Sequence, residues 1–199
     1  MNCQHKGSIQ MKIQHIASMA FVLASILVVG ITIAAQDRYT LKSPSGISFS
    51  EFKGYEAWQA ISVSQPDDAG GCGSSPAPGC IKMIVGNPEM IKAYNSGLPA
   101  NGKSFPDGAA FAKIEWQKGR EEAAYGVTVP GTYSEVGFML KDSKRFPKTN
   151  GWGYATFRYD AASDKFKAFG DSPEFVNTCH GCHTLVKARD FVFTDYAKR

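Results

Sequence analysis

Ala110-Phe111-Ala112-Lys113-Ile114-Glu115-Trp116 alternates with a period of two. Ala110, Ala112, Ile114 and Trp116 fall on one face of an extended chain, and Phe111, Lys113 and Glu115 on the other, which predicts a β-strand. Working upstream, residues 81–85 (Ile-Lys-Met-Ile-Val) read as a buried strand. Asn87 then caps a helix with Pro88 at its first position and Gly97 just past its end. Met90, Ile91 and Tyr94 share one face of that helix and are expected in the core. Asn101-Gly102-Lys103 and Pro106-Asp107-Gly108 are turn sequences. Residues 55–62, around Trp58, are expected as a short helix. Downstream, residues 133–141 and 152–159 read as further strands, the second entered through Asn150-Gly151. Residues 173–177 lead into a loop at 179–183, and residues 191–194 read as a closing strand. Many short strands with a few short helices predict an α+β domain built mainly on an antiparallel sheet. The chain shows no internal repeat, heptad or low-complexity tract.

That loop carries the chemistry. Cys179-His180-Gly181-Cys182-His183 is a C-x-x-C-H sequence, the attachment pattern of a c-type haem. Two thiols three positions apart can each form a thioether to a haem vinyl group, and the following histidine can ligate the iron. With five cysteines and four histidines in 199 residues, chance supplies roughly 0.0025 such matches. A closed zinc site would need further Cys or His ligands, and the remaining cysteines lie about a hundred residues upstream. One covalently attached haem c is therefore the expected cofactor.

Residues 1–35 read as a targeting segment. Lys6 and Lys12 form a positive start, residues 16–33 are almost wholly apolar, and Ile33-Ala34-Ala35 offers a small-residue cleavage site. The apolar run approaches a bilayer-spanning length, so an uncleaved N-terminal anchor is the alternative. Met11 is a second candidate start, and Cys3 lies on the wrong side of the run for a lipoprotein site. Either way residues 36–199 are expected outside the cytoplasm, in the periplasm, as one domain. The formal charge of +4 falls to +2 without the segment. So mild a balance predicts neither nucleic acid nor an anionic membrane as partner.

Export makes the cysteine count informative. Cys179 and Cys182 go to the haem, and Cys72 and Cys80 flank a Gly/Ser/Pro loop, which predicts a Cys72–Cys80 disulfide. His5 and His15 lie in the targeting segment, so only His180 and His183 remain. His180 sits inside the attachment sequence, which excludes bis-histidine ligation and any His-dependent triad or HExxH zinc site. Met83, Met90, Met139, a lysine, water or nothing remain for the sixth position, Met90 being expected in the core instead. Gly151-Trp152-Gly153 lacks the rest of a dinucleotide-binding pattern.

Residues 101–108 (Asn-Gly-Lys-Ser-Phe-Pro-Asp-Gly), Lys113, residues 141–146 (Lys-Asp-Ser-Lys-Arg-Phe), Gly151-Trp152-Gly153-Tyr154 and the C-terminal C-x-x-C-H resemble, in order, the cytochrome P-460 family. The resemblance runs from about Gly54 to the C-terminus. It implies an exported monohaem c-type cytochrome on an antiparallel sheet, often a homodimer, served by a redox partner protein. The resemblance admits two kinds of activity: hydroxylamine oxidation with a lysine bonded to the porphyrin, or binding of nitric oxide or carbon monoxide at an open apolar face (the cytochromes c′-beta). By motif position Lys113 is the candidate cross-linking lysine. Glu135, the one acid of residues 133–140, is the candidate proton acceptor. Phe111, Phe138 and Met139 are the candidate pocket residues. A periplasmic electron carrier with Met139 or Met83 on the iron is the remaining alternative.

Overall fold

In the computed structural model, residues 36–66, 79–99, 102–117, 120–122 and 126–198 are described. The opening heptapeptide forms a strand as its alternation requires, Ala110–Trp116 (β3). It lies near the middle of a six-stranded antiparallel sheet. In chain order the strands around it are Gln59–Ser64 (β1), Ile81–Gly86 (β2), Tyr133–Lys141 (β6), Trp152–Asp160 (β7) and Lys165–Phe169 (β8). The sheet order is β1-β2-β3-β6-β7-β8. A separate short hairpin pairs Arg120–Glu122 (β4) with Val127–Val129 (β5). Residues 36–199 form one compact unit, an α+β domain dominated by the antiparallel sheet. Among the described residues no helix is long and apolar enough to cross a membrane.

The strand period sorts side chains into two cores, one on each face of the sheet. Ala110, Ala112 and Ile114 point into the first, with Val136, Phe138 and Phe157 from neighbouring strands and Phe49, Phe52 and Tyr55 from the N-terminal segment. Phe111 points into the second, with Trp152, Tyr154, Phe105 and the helix Pro88–Asn95 (α1). Asn87 anchors α1 as its sequence predicts. Its Oδ1 accepts from Met90 N at 2.9 Å and from Ala110 N at 3.0 Å, and its Nδ2 donates to Gly108 O at 2.8 Å. One side chain therefore caps the helix, a contribution of about 1 kcal/mol, and ties it to the start of β3. Met90, Ile91 and Tyr94 are buried, as expected.

Three local expectations are corrected. Residues 55–62 are not a helix. A single 3₁₀ turn, Tyr55–Ala57, closes with Trp58 N donating to Tyr55 O, and the chain then enters β1. Ile61 and Val63 are β-branched, and β1 pairs with β2 through Ala60, Ser62 and Val63, with Ile61 at a bulge between them. The C-x-x-C-H sequence lies on a helix, Phe175–His183 (α2), and not in a loop. Residues 191–194 are not a strand: Phe191 has φ 65°, which breaks the extended backbone. The segment's polar groups are satisfied individually instead, Thr194 O by the Tyr94 hydroxyl at 2.7 Å. No strand is expected from the sequence at β8 or the β4–β5 hairpin, and residues 59–62 of β1 fall in the stretch expected as a helix. Residues 1–35 and Cys72 lie outside the described residues; Cys80 is fully buried just before β2.

The Gly151-Trp152-Gly153 sequence has a packing role. Gly151 takes φ 83° at the entry to β7, a conformation costly for other residues. A Cβ on Gly153 would overlap the ring of Phe146, so the ring can lie on the strand only because the side chain is missing. Gly153→Ala is expected to destabilise the fold by about 1–3 kcal/mol through overpacking. A urea unfolding midpoint equal to that of the parent protein would contradict this.

Candidate haem site

The helix α2 packs on β7. Its spacing puts Cys179, Cys182 and His183 at i, i+3 and i+4, on one side of the helix. Cys179 is half-buried and Cys182 exposed. Burial pushes the Cys179 thiol upward, an effect that the nearby Lys113 charge partly opposes. Tyr154 of β7 seats the helix: its hydroxyl lies 3.2 Å from His180 Nδ1 and its ring 5.0 Å from the His183 ring. His180 is thus committed to Tyr154, beside His183.

His183 is oriented by the segment after the helix. Its Nδ1 lies 2.6 Å from Phe191 O. A carbonyl can only accept, so Nδ1 carries the proton and Nε2 keeps a free lone pair. Burial lowers the His183 pKa, with the Lys113 charge adding to it and the Phe191 carbonyl opposing it. Neutral imidazole with a fixed tautomer is the form that ligates iron.

Cys179 and His183 line a cavity of about 640 Å³ between α2, the sheet and the C-terminal segment, within the range of cofactor sites. Phe111, Lys113, Met139 and Tyr154 line it from the sheet, and Val192 and Phe193 from the tail. The donor set and the cavity fit a haem held by Cys179, Cys182 and His183. Among the described residues no group of three or more His, Cys, Asp or Glu is arranged to hold a metal ion by itself.

The structure brings together only part of the expected pocket. Phe138 borders the cavity, but its ring belongs to the opposite core, stacked on Phe52 at 4.0 Å between centroids. Pairing with Ala112 fixes this, because Ala112 faces the first core. Met83 also faces that side, packed against the first core, and Met90 is buried in the second. Met139 is the one candidate methionine among the cavity residues.

Lys113 stands across from Gly137, whose missing side chain leaves room for the lysine stem; a Cβ there would lie 3.4 Å from Lys113 Cε. Its amine lies 3.3 Å from Glu115 Oε2 and 3.7 Å from Glu135 Oε1. Glu135 is buried, not an exposed strand-end acid, and it is not among the residues lining the cavity. It belongs to a row of side chains in register across the sheet: Ser64, Lys82, Glu115, Glu135, Arg158 and Lys167. Lys82 in that row has its pKa lowered by burial and by the Lys113 charge. Arg158 approaches Glu135 at 3.8 Å. Glu115 is completely buried, and neither carboxylate oxygen has a hydrogen-bond partner, so Lys113 is its near counter-charge. Glu115 and Tyr154 were not predicted as site residues. The strand alternation places Glu115 on the Lys113 face, but which acid stands opposite depends on strand order.

No curated protein matches the chain. The family model for cytochrome P460 matches residues 52–194. That match begins at Phe52 in the first core and ends at Thr194 on the cavity wall, so it spans sheet, haem helix and cavity together, and the chain belongs to the cytochrome P460 family of c-type haem proteins.

Proposed function

We propose that this protein binds one haem covalently through Cys179 and Cys182, with His183 on the iron, and presents the iron to small nitrogen species, nitric oxide or hydroxylamine. The observation that carries the reading is that His183 and Cys179 share one large cavity with Lys113, Phe111 and Met139, while His180 is turned to Tyr154. Among the described residues no second imidazole is available to close the other side of the iron. When bound, the haem supplies a coordination position for a small molecule and a one-electron couple.

The chain's own residues supply polarity and protons. Lys113 Nζ forms ion pairs with Glu115 Oε2 and Glu135 Oε1. On this reading Glu135 accepts protons through Lys113 and does not act from above the iron. If Lys113 is bonded to the porphyrin, the protein is of the hydroxylamine-oxidising kind; if the amine is free, it binds the gas. The same reading takes residues 1–35 as a signal peptide or anchor and residues 36–199 as the periplasmic haem domain. It includes a Cys72–Cys80 disulfide, a homodimer and a redox partner protein.

The visible spectrum of the ferrous protein, with and without carbon monoxide, tests this. A five-coordinate spectrum that shifts with the gas is expected of the free-amine form, and a broad, red-shifted Soret band of the cross-linked form. A sharp six-coordinate spectrum indifferent to carbon monoxide would overturn the reading in favour of an electron carrier with Met139 on the iron. Mass spectrometry of a tryptic digest decides the state of Lys113, since a free peptide ending there excludes the bond.

A further inference from the structure

We infer that Lys141 and Asp190 are positioning residues for the iron ligand: a buried ion pair that holds the Phe191 carbonyl against His183. The inference rests on His183 ligating the haem iron and is independent of which small molecule binds opposite.

Asp190 and Phe191 are consecutive non-glycine residues in left-handed conformation, φ 49° and 65°. Such residues persist only where their surroundings over-determine them. Here the surroundings do. The Asp190 carboxylate accepts from Lys141 Nζ at 3.0 and 2.9 Å and from Phe105 N at 2.7 Å. Its main-chain carbonyl accepts from Trp152 Nε1 at 2.8 Å. Lys141 Nζ also donates to Asn150 O at 3.0 Å and stands 4.9 Å from the Trp152 ring. Both charged side chains are nearly inaccessible, at 5% and 7% exposure.

Three separate stretches of the chain each supply one of these groups: Phe105 from residues 101–108, Lys141 from 141–146, and Trp152 from 151–154. All three end on Asp190. The next residue then offers its carbonyl to His183 Nδ1 at 2.6 Å. The function of the ion pair is thus to aim a main-chain acceptor, which neither side chain could do directly. A firm Nδ1–H···O=C bond orients the imidazole and makes it a better donor, which favours the ferric state.

The test uses the haem-loaded protein with Lys141 and Asp190 replaced together (Lys141→Met, Asp190→Asn), so that no lone charge is buried. The resonance Raman iron–histidine band of the ferrous form is expected to move to lower frequency. The ferric/ferrous equilibrium is expected to shift about tenfold toward ferrous, 59 mV for a one-electron couple. Phe52→Leu, in the opposite core, is the comparison: it should lower stability and leave band and potential in place. Haem content is read separately by pyridine haemochrome. A loaded double variant with the parent band and potential overturns the inference, as does Phe52→Leu reproducing the shift. A colourless parent protein removes both this inference and the haem reading. Should the double variant not fold, the native protein decides. The His183 Nδ1 proton should exchange slowly with solvent, and exchange at the rate of an exposed imidazole overturns the assignment.

Discussion

Lys141→Met alone is expected to destabilise the protein by about 3–5 kcal/mol, because it leaves the Asp190 carboxylate buried without its counter-charge. The remaining contact, from Phe105 N at 2.7 Å, is too little to compensate for a desolvated anion. The Asn150 carbonyl that Lys141 also serves belongs to an exposed residue and can turn to water. In a domain of this size the loss corresponds to a fall of about 6–20 °C in Tm. Adding Asp190→Asn should recover most of it, since the amide keeps an acceptor for Phe105 N and no charge remains to be solvated. Thermal unfolding of the two single variants and the double variant closes the cycle. If the double variant proves less stable than Lys141→Met, the pair is not the coupled buried unit described here.

Phe138→Ala is the second large effect. The ring is 1% exposed, stacked on Phe52 at 4.0 Å and edge-on to Phe49 and Tyr55 at 5.3 Å each. Truncation is expected to cost about 3–5 kcal/mol, as for other fully packed aromatic side chains. Because the ring lies in the opposite core, the carbon monoxide spectrum of the loaded protein should stay as in the parent. Phe111→Ala, on the cavity side, should change it. If Phe138→Ala also alters ligand binding, the separation of the two cores by the sheet is not functional.

These two variants mark where sequence pattern is informative and where it stops. The alternation of residues 110–116 placed Ala112 and Phe111 on opposite faces, and the structure agrees. For residues 133–141 the same alternation leaves open which face meets the cofactor. Phe138 and Met139 were both candidates, and pairing with β3 decides between them: Phe138 stands beside Ala112 and Met139 beside Phe111. A slip of one residue would have exchanged their roles. Glu135 was placed by the same register, opposite Glu115 and beneath Lys113 and Arg158. Its burial is a property of the row and not of its local sequence.

The failures of local reading have a similar cause. Residues 55–62 looked helical, but β2 offered a ladder partner that a short isolated helix could not match. Residues 191–194 had strand composition, yet their carbonyls were needed elsewhere, Phe191 O by His183 and Thr194 O by Tyr94.

By itself the sequence determined the sheet period, the cap of α1, the C-x-x-C-H pattern of Cys179, Cys182 and His183, and the family. Each is a short-range pattern, in which residue type and spacing carry the whole of the physics. Tertiary structure alone decided which side chains line the cavity, which carboxylates share Lys113, and that Lys141, Phe105 and Trp152 meet at Asp190. Those contacts join residues tens of positions apart, and only strand order and register bring them within hydrogen-bonding reach.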